Sequence, residues 1–156
     1  MNLTLSDNNL KINLCRILAE NLNNKIAELQ QTIGILQESK LNETKSSAGD
    51  KYETGMEMLQ QEQDKNQAQL SILVKQKHLL DKLNIAKKYD RAESGAMIIT
   101  NEGNYFLCIG GGKQVIEGSS YYAISPTSPL GQMLLNKKAG DTILFQSKTF
   151  DIRLIY

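Results

Sequence analysis

The stretch Ser46-Ser47-Ala48-Gly49-Asp50-Lys51-Tyr52-Glu53 interrupts two long runs of helical periodicity. Small and polar residues with one glycine break an apolar repeat that resumes at Met56. A helix arriving here must reverse and run back, so the stretch is read as the tip of a helical hairpin. Asp50 and Glu53 fall on that tip, away from any candidate core, and are the first candidate functional residues.

Toward the N-terminus, Leu10 to Asn42 contains no proline and one glycine, Gly34. Its apolar residues, Leu18, Leu22, Ile26, Leu29, Ile33 and Leu36, recur mostly three or four apart among Asn, Gln, Glu and Lys. That is a narrow stripe on a polar helix, the pattern of a coiled-coil seam. Ser6 or Asp7 is read as the N-cap. Gly34 costs about 1 kcal/mol relative to alanine and does not break the pattern.

Beyond the tip, Met56, Leu59, Gln63, Asn66, Leu70, Leu73, Lys77 and Leu80 alternate spacings of three and four. This is a heptad seam with three polar members, which lower stability but specify register. A short connection makes the two helices antiparallel, and about 34 residues rising about 1.5 Å each predict a rod of about 50 Å. The second helix is expected to fade between Asn84 and Lys88. Lys87, Lys88 and Arg91 then read as a solvated, basic helix end before Ser94-Gly95. The expected division is a hairpin over 1–93, with its tip at about 44–52, and a second domain over 94–156.

In the second part the period changes. Ala96–Thr100, the turn Asn101–Asn104 and Tyr105–Ile109 read as strand, turn, strand. Gly110-Gly111-Gly112 has neither the P-loop ending nor the dinucleotide fingerprint spacing, and is read as a turn. Short strands follow at Lys113–Ile116 and Tyr121–Ile124, then a short helix at Leu130–Leu135 with Asn136 as left-handed cap. After a turn at Gly140-Asp141, Thr142–Phe145 and Phe150–Tyr156 end the chain as paired strands. The fold class is therefore α+β: a long antiparallel helical hairpin, then a small, mostly antiparallel sheet with one short helix.

Composition narrows the function classes. A net charge of +1, with 22% charged residues, lacks the basic excess of a dedicated nucleic-acid binder. No apolar run approaches the roughly 20 residues of a membrane span, and no signal-peptide pattern opens the chain. Cys15 and Cys108 lie in different segments without metal or disulfide spacing, so both read as packing residues in a reducing, cytoplasmic setting. His78, the single histidine, has no visible catalytic partner. Asp50 and Glu53 also satisfy a capping-box reading, with Asp50 as N-cap and Glu53 at N3.

Ile124-Ser125-Pro126-Thr127-Ser128-Pro129-Leu130-Gly131-Gln132-Met133-Leu134-Leu135-Asn136-Lys137-Lys138-Ala139-Gly140-Asp141 resembles, without gaps, the C-terminal domain of bacterial Gre transcript-cleavage factors. Gly49, Asp50 and Glu53 match that family's tip motif, and the order of parts agrees. The resemblance implies a coiled-coil hairpin followed by an FKBP-like domain. It implies a partner, RNA polymerase, bound at the secondary channel, with only indirect contact to nascent RNA and neither a membrane nor a small-molecule substrate. Ser125, Ser128, Pro129 and Leu130 would face the polymerase. Asp50 and Glu53 would assist cleavage of backtracked RNA by sharing a polymerase Mg²⁺, and the chain would be an accessory factor rather than an enzyme, with no cofactor of its own. Lys51 and Thr54 stand where the family has Leu and Asn. The alternatives are accordingly a channel-binding regulator or inhibitor without cleavage stimulation, or a coiled-coil interaction protein unrelated to polymerase.

Overall fold

The computed structural model describes residues 7–45 and 49–156, with side chains described over 9–43 and from Tyr52 onward. Helix α1 runs Asp7–Lys45 and helix α2 runs Gly49–Asp81. Two compact units divide the chain: residues 19–78 form one, and residues 1–18 with 79–156 form the other.

Within the first unit the two helices pack together as antiparallel neighbours. The Lys40 ammonium donates to the side-chain oxygens of Gln60 and Gln63, the latter at 2.9 Å, and a Cβ built on Gly55 lies 3.5 Å from Glu43 Oε2. Residue pairs close to the connection therefore face each other across the hairpin. The heptad reading of α2 matches what the helix covers: Leu73 and Leu80 are buried, and the other six seam residues, including Gln63, Asn66 and Lys77, are half-buried. On α1 the stripe is covered as expected, with Leu18, Leu22 and Ile33 buried and Ile26, Leu29 and Leu36 half-buried.

Two boundaries differ from the sequence reading. Helix α2 already includes Gly49 to Glu53, because acidic residues in a first turn complement the helix dipole and no proline stops it. Only Ser46, Ser47 and Ala48 separate the helices, and these lie outside the described residues. At its other end α2 stops at Asp81, so Lys87, Lys88 and Arg91 sit in a loop rather than on a helix end.

The second unit holds a six-stranded mixed sheet of order β3-β4-β2-β1-β6-β5. Its strands are β1 Met97–Thr100, β2 Asn104–Leu107, β3 Gly112–Ile116, β4 Ser119–Ile124, β5 Thr142–Phe145 and β6 Lys148–Ile155. All pairings are antiparallel except β2 with β4. After β2 the chain runs out to the edge as β3 and hairpins back, so β4 returns beside β2 in the same direction. The single short helix, α3 (Pro129–Leu134), buries Leu134 in a core with Ile98, Leu107, Ile143, Phe150 and Ile152. Asn136 takes the left-handed cap conformation, φ 64°. The Asn136 N–H donates to the Ala92 carbonyl and the Ala92 N–H to that of Lys137, both at 2.8 Å, which ties the loop after α2 to the end of α3.

The first turns of α1 also belong to this unit. Lys11, Leu14 and Leu18 are buried in it, and Leu18 explains one glycine of the Gly110–Gly112 run. A Cβ on Gly111 would stand 2.3 Å from Leu18 Cδ2 and 3.1 Å from Ala123 Cβ, so Gly111 is there for a close approach of helix and sheet.

Candidate functional site

The acidic pair lies at the start of α2. Asp50 belongs to its first turn, and Glu53 follows one turn later with an exposed side chain. Because the helix begins at Gly49, Asp50 is inside it, and the N-cap position falls among residues outside the description. The Asp50 side chain is likewise outside it. Tyr52, between the two acids, is half-buried, and Thr54 is exposed.

The charge around this pair is lopsided. From Gln37 to Asp64 the sequence has seven acids against three lysines, a net −4. The rest of the chain has ten acids against fifteen Lys and Arg, a net +5, which recovers the total of +1. The closed end of the hairpin is thus an acidic segment on an otherwise basic chain. Two carboxylates supply a minority of the six oxygens that Mg²⁺ takes. Among the described residues there is no group of three or more His, Cys, Asp or Glu able to hold a metal.

The second candidate region is the segment before α3, and it is locked from within. Ser128 is the N-cap: its Oγ accepts from the Gly131 N–H at 3.1 Å and donates to the Ser125 carbonyl at 2.6 Å. Ser125 Oγ accepts from the Thr127 N–H at 3.1 Å and lies 2.7 Å from Thr127 Oγ1. The Gln132 amide closes the turn by donating to the Thr127 carbonyl at 2.9 Å. Pro129 occupies the first turn, where its missing N–H costs nothing. A Cβ on Gly131 would stand 2.1 Å from the Ser125 carbonyl oxygen, so this position admits only glycine. Of the four residues expected to face a partner, Pro129 is exposed, while Ser125, Ser128 and Leu130 are half-buried. Leu130 packs on the core, and the two serines spend their hydroxyls holding the loop. The loop has a fixed shape with Thr127 and Pro129 outermost.

One residue the sequence reading passed over is Lys11, 1% exposed. Its Nζ lies 4.6 Å from the Tyr89 ring centre and 5.5 Å from that of Tyr156, a cation held by two aromatic rings. The signal was present, since Lys11 precedes Leu18 and Leu22 by whole helical turns on the same stripe. Of the basic cluster, Lys87 pairs with Glu93 and lies 4.9 Å from the Tyr89 ring centre. It is used within the unit.

Both thiols are free, and burial pushes Cys15 up to about 11 and Cys108 up to about 12. Lys11 partly offsets the rise at Cys15, and the Cys15 thiol adds to that at Cys108, so the fold brings the two segments near each other. Thiols held protonated in this way are packing groups rather than nucleophiles. His78, in the last turn of α2, is exposed. No helix among the described residues is long and apolar enough to cross a membrane. No family model matches the chain, and no curated protein matches it.

Proposed function

We propose that this chain is a Gre-like, cytoplasmic regulator of transcription elongation that binds RNA polymerase at the secondary channel. The observation that carries the reading is the exposed Glu53, one turn into α2 at the closed end of a helical hairpin, in an acidic segment. The seam along both helices supports a coiled coil, and a mixed sheet with one short helix supports an FKBP-like reading of the second domain. The rigid Ser125–Gly131 loop is suited to docking, because its shape is held by its own hydrogen bonds before any partner arrives.

On this reading Asp50 and Glu53 present carboxylate oxygens at the polymerase active site. A Mg²⁺ shared there would supply charge neutralisation for water attack on a phosphodiester. The chain's own contribution is position: a helix brings the acids in, and the polymerase performs the cleavage. A second reading keeps the docking without the cleavage, and it is favoured by Lys51 and Thr54, which replace the Leu and Asn of the family's tip.

Two measurements test this. The tagged chain should retain core RNA polymerase, and failure to do so sinks both readings in favour of an interaction protein unrelated to polymerase. Stalled, backtracked elongation complexes should release short RNA 3′ fragments when the chain is added. Cleavage should vanish in a variant carrying Asp50→Ala and Glu53→Ala while polymerase retention persists. Retention without cleavage in the wild type selects the second reading.

A further inference from the structure

We propose that a cavity formed by the last turn of α2, the loop after it and Cys108 binds a small organic anion, an aromatic or branched aliphatic carboxylate. The cavity lies wholly within the sheet unit and measures about 400 Å³, inside the range of about 300–1,000 Å³ typical of small-molecule sites. Its apolar lining runs from open to deep: Leu79 is 57% exposed, Leu83 half-buried and Cys108 buried. None of these residues enters the polymerase reading, so the inference stands apart from it.

The walls are built before any ligand arrives. The Tyr89 hydroxyl donates to the Asn84 carbonyl at 3.0 Å, and the Asn84 side-chain oxygen accepts from the Lys87 N–H at 3.2 Å. Lys87 in turn donates to Glu93 across the same loop. A Cβ on Gly95 would collide with the Tyr89 hydroxyl, and Gly95 has φ 99°, so glycine is what lets Tyr89 sit this close to the chain. A loop held by these contacts loses little freedom on binding.

The charges in the lining choose the ligand. Lys87 and Glu93 neutralise each other, which leaves one cation, Lys82. Among the described residues neither the Lys82 ammonium nor the Ser94 hydroxyl has a hydrogen-bond or ion-pair partner, and both residues are exposed. A carboxylate has an acceptor oxygen for each, and its apolar body covers Leu79 and Leu83. Nucleic acid and other polyanions are disfavoured, since Asp81–Glu93 has four cations against three acids, a net +1. A metal ion is disfavoured because Lys87 occupies the one carboxylate in the lining and burial keeps the Cys108 thiol protonated. A cationic ligand meets Lys82 with no unpaired acid to offset it.

The test titrates the full chain with 2-naphthoate and with 2-naphthamide, which has the same shape and no charge, and follows backbone amide shifts by NMR. Naphthoate should bind about fivefold more tightly than the amide, with the largest shifts at Leu83, Ser94 and Cys108. Lys82→Gln should abolish that preference, whereas Lys88→Gln, a cation outside the lining, should leave it within about twofold. Leu79→Gln should weaken both ligands about equally, because it removes apolar contact and no charge. The proposal is overturned by equal affinity for acid and amide, by a preference that survives Lys82→Gln, or by shifts that map elsewhere on the chain. Equal losses from Lys82→Gln and Lys88→Gln also overturn it, since they would mark general attraction to a basic loop. Retention of core polymerase bears on the polymerase reading alone, so the two ideas fail separately.

Discussion

The hairpin unit and the sheet unit are stabilised by different means. In the sheet unit, Ile98, Phe106 and Leu107 of the strands and Leu134 of α3 are fully buried, each removing a large apolar area from water. In the hairpin only Leu22, Ile33 and Leu73 are buried among the described residues, and its closed half relies on half-buried seam residues and the Lys40 network. At about 1.5–3 kcal/mol per fully buried large side chain, the sheet concentrates its stability in a few residues. The hairpin spreads a smaller amount along its length. A surface for partners can be drawn from the second kind of structure, because its residues are not committed to a core.

Equal truncations should therefore cost different amounts in the two regions. Phe106→Ala should destabilise by about 3–5 kcal/mol, as a denaturant midpoint shows, whereas Leu59→Ala in the half-buried seam should cost about 1 kcal/mol. A hairpin truncation as costly as the core one would mean that the closed half is better packed than its exposure indicates. Where α1 meets the sheet, Gly111→Ala should cost about 1–3 kcal/mol, since the new methyl meets Leu18 and Ala123. Gly34→Ala, with nothing near the added methyl, should instead raise stability by about 1 kcal/mol.

The thiols probe the same contact by chemistry. With Cys15 raised to about 11 from an ordinary value of 9.0, its thiolate fraction at pH 8 falls about a hundredfold, and disulfide reagents should label the folded chain correspondingly slowly. A raised value favours the protonated thiol in the folded state. Stability from this source is therefore complete below pH 9 and declines as pH rises toward 11. Rapid labelling of both thiols under native conditions would show that the α1–sheet contact opens readily. The smallest effect lies at the β5–β6 turn, where Gln146 and Ser147 both have positive φ, 49° and 64°. Replacing them by Asn-Gly, the preferred pair for this turn, should add about 0.5–1 kcal/mol, read as a shift in the denaturant midpoint.

Much of this was legible along the chain. The seam on α2 was readable to the residue, because a three-four spacing leaves one face for a helix to bury. The strands and the Asn136 cap were readable because turn residues punctuate short apolar runs. Gly111, Lys11 and the nearness of Cys15 to Cys108 were harder, since each depends on segments roughly a hundred residues apart meeting. The serines of the Ser125–Gly131 loop carried a motif in sequence, but that they hold each other in place is visible only from their hydrogen bonds.

The amino-acid order alone determined two helices with a seam, a reversal between them, a strand-rich second half and the place of Asp50 and Glu53 near the reversal. These are local properties, set by periodicity, capping and turn chemistry over a few residues. Only the tertiary structure decided that α1's first turns belong with the sheet and that β4 returns parallel to β2. Those depend on which distant surfaces exclude water together, and burial of that kind has no period for a sequence to display.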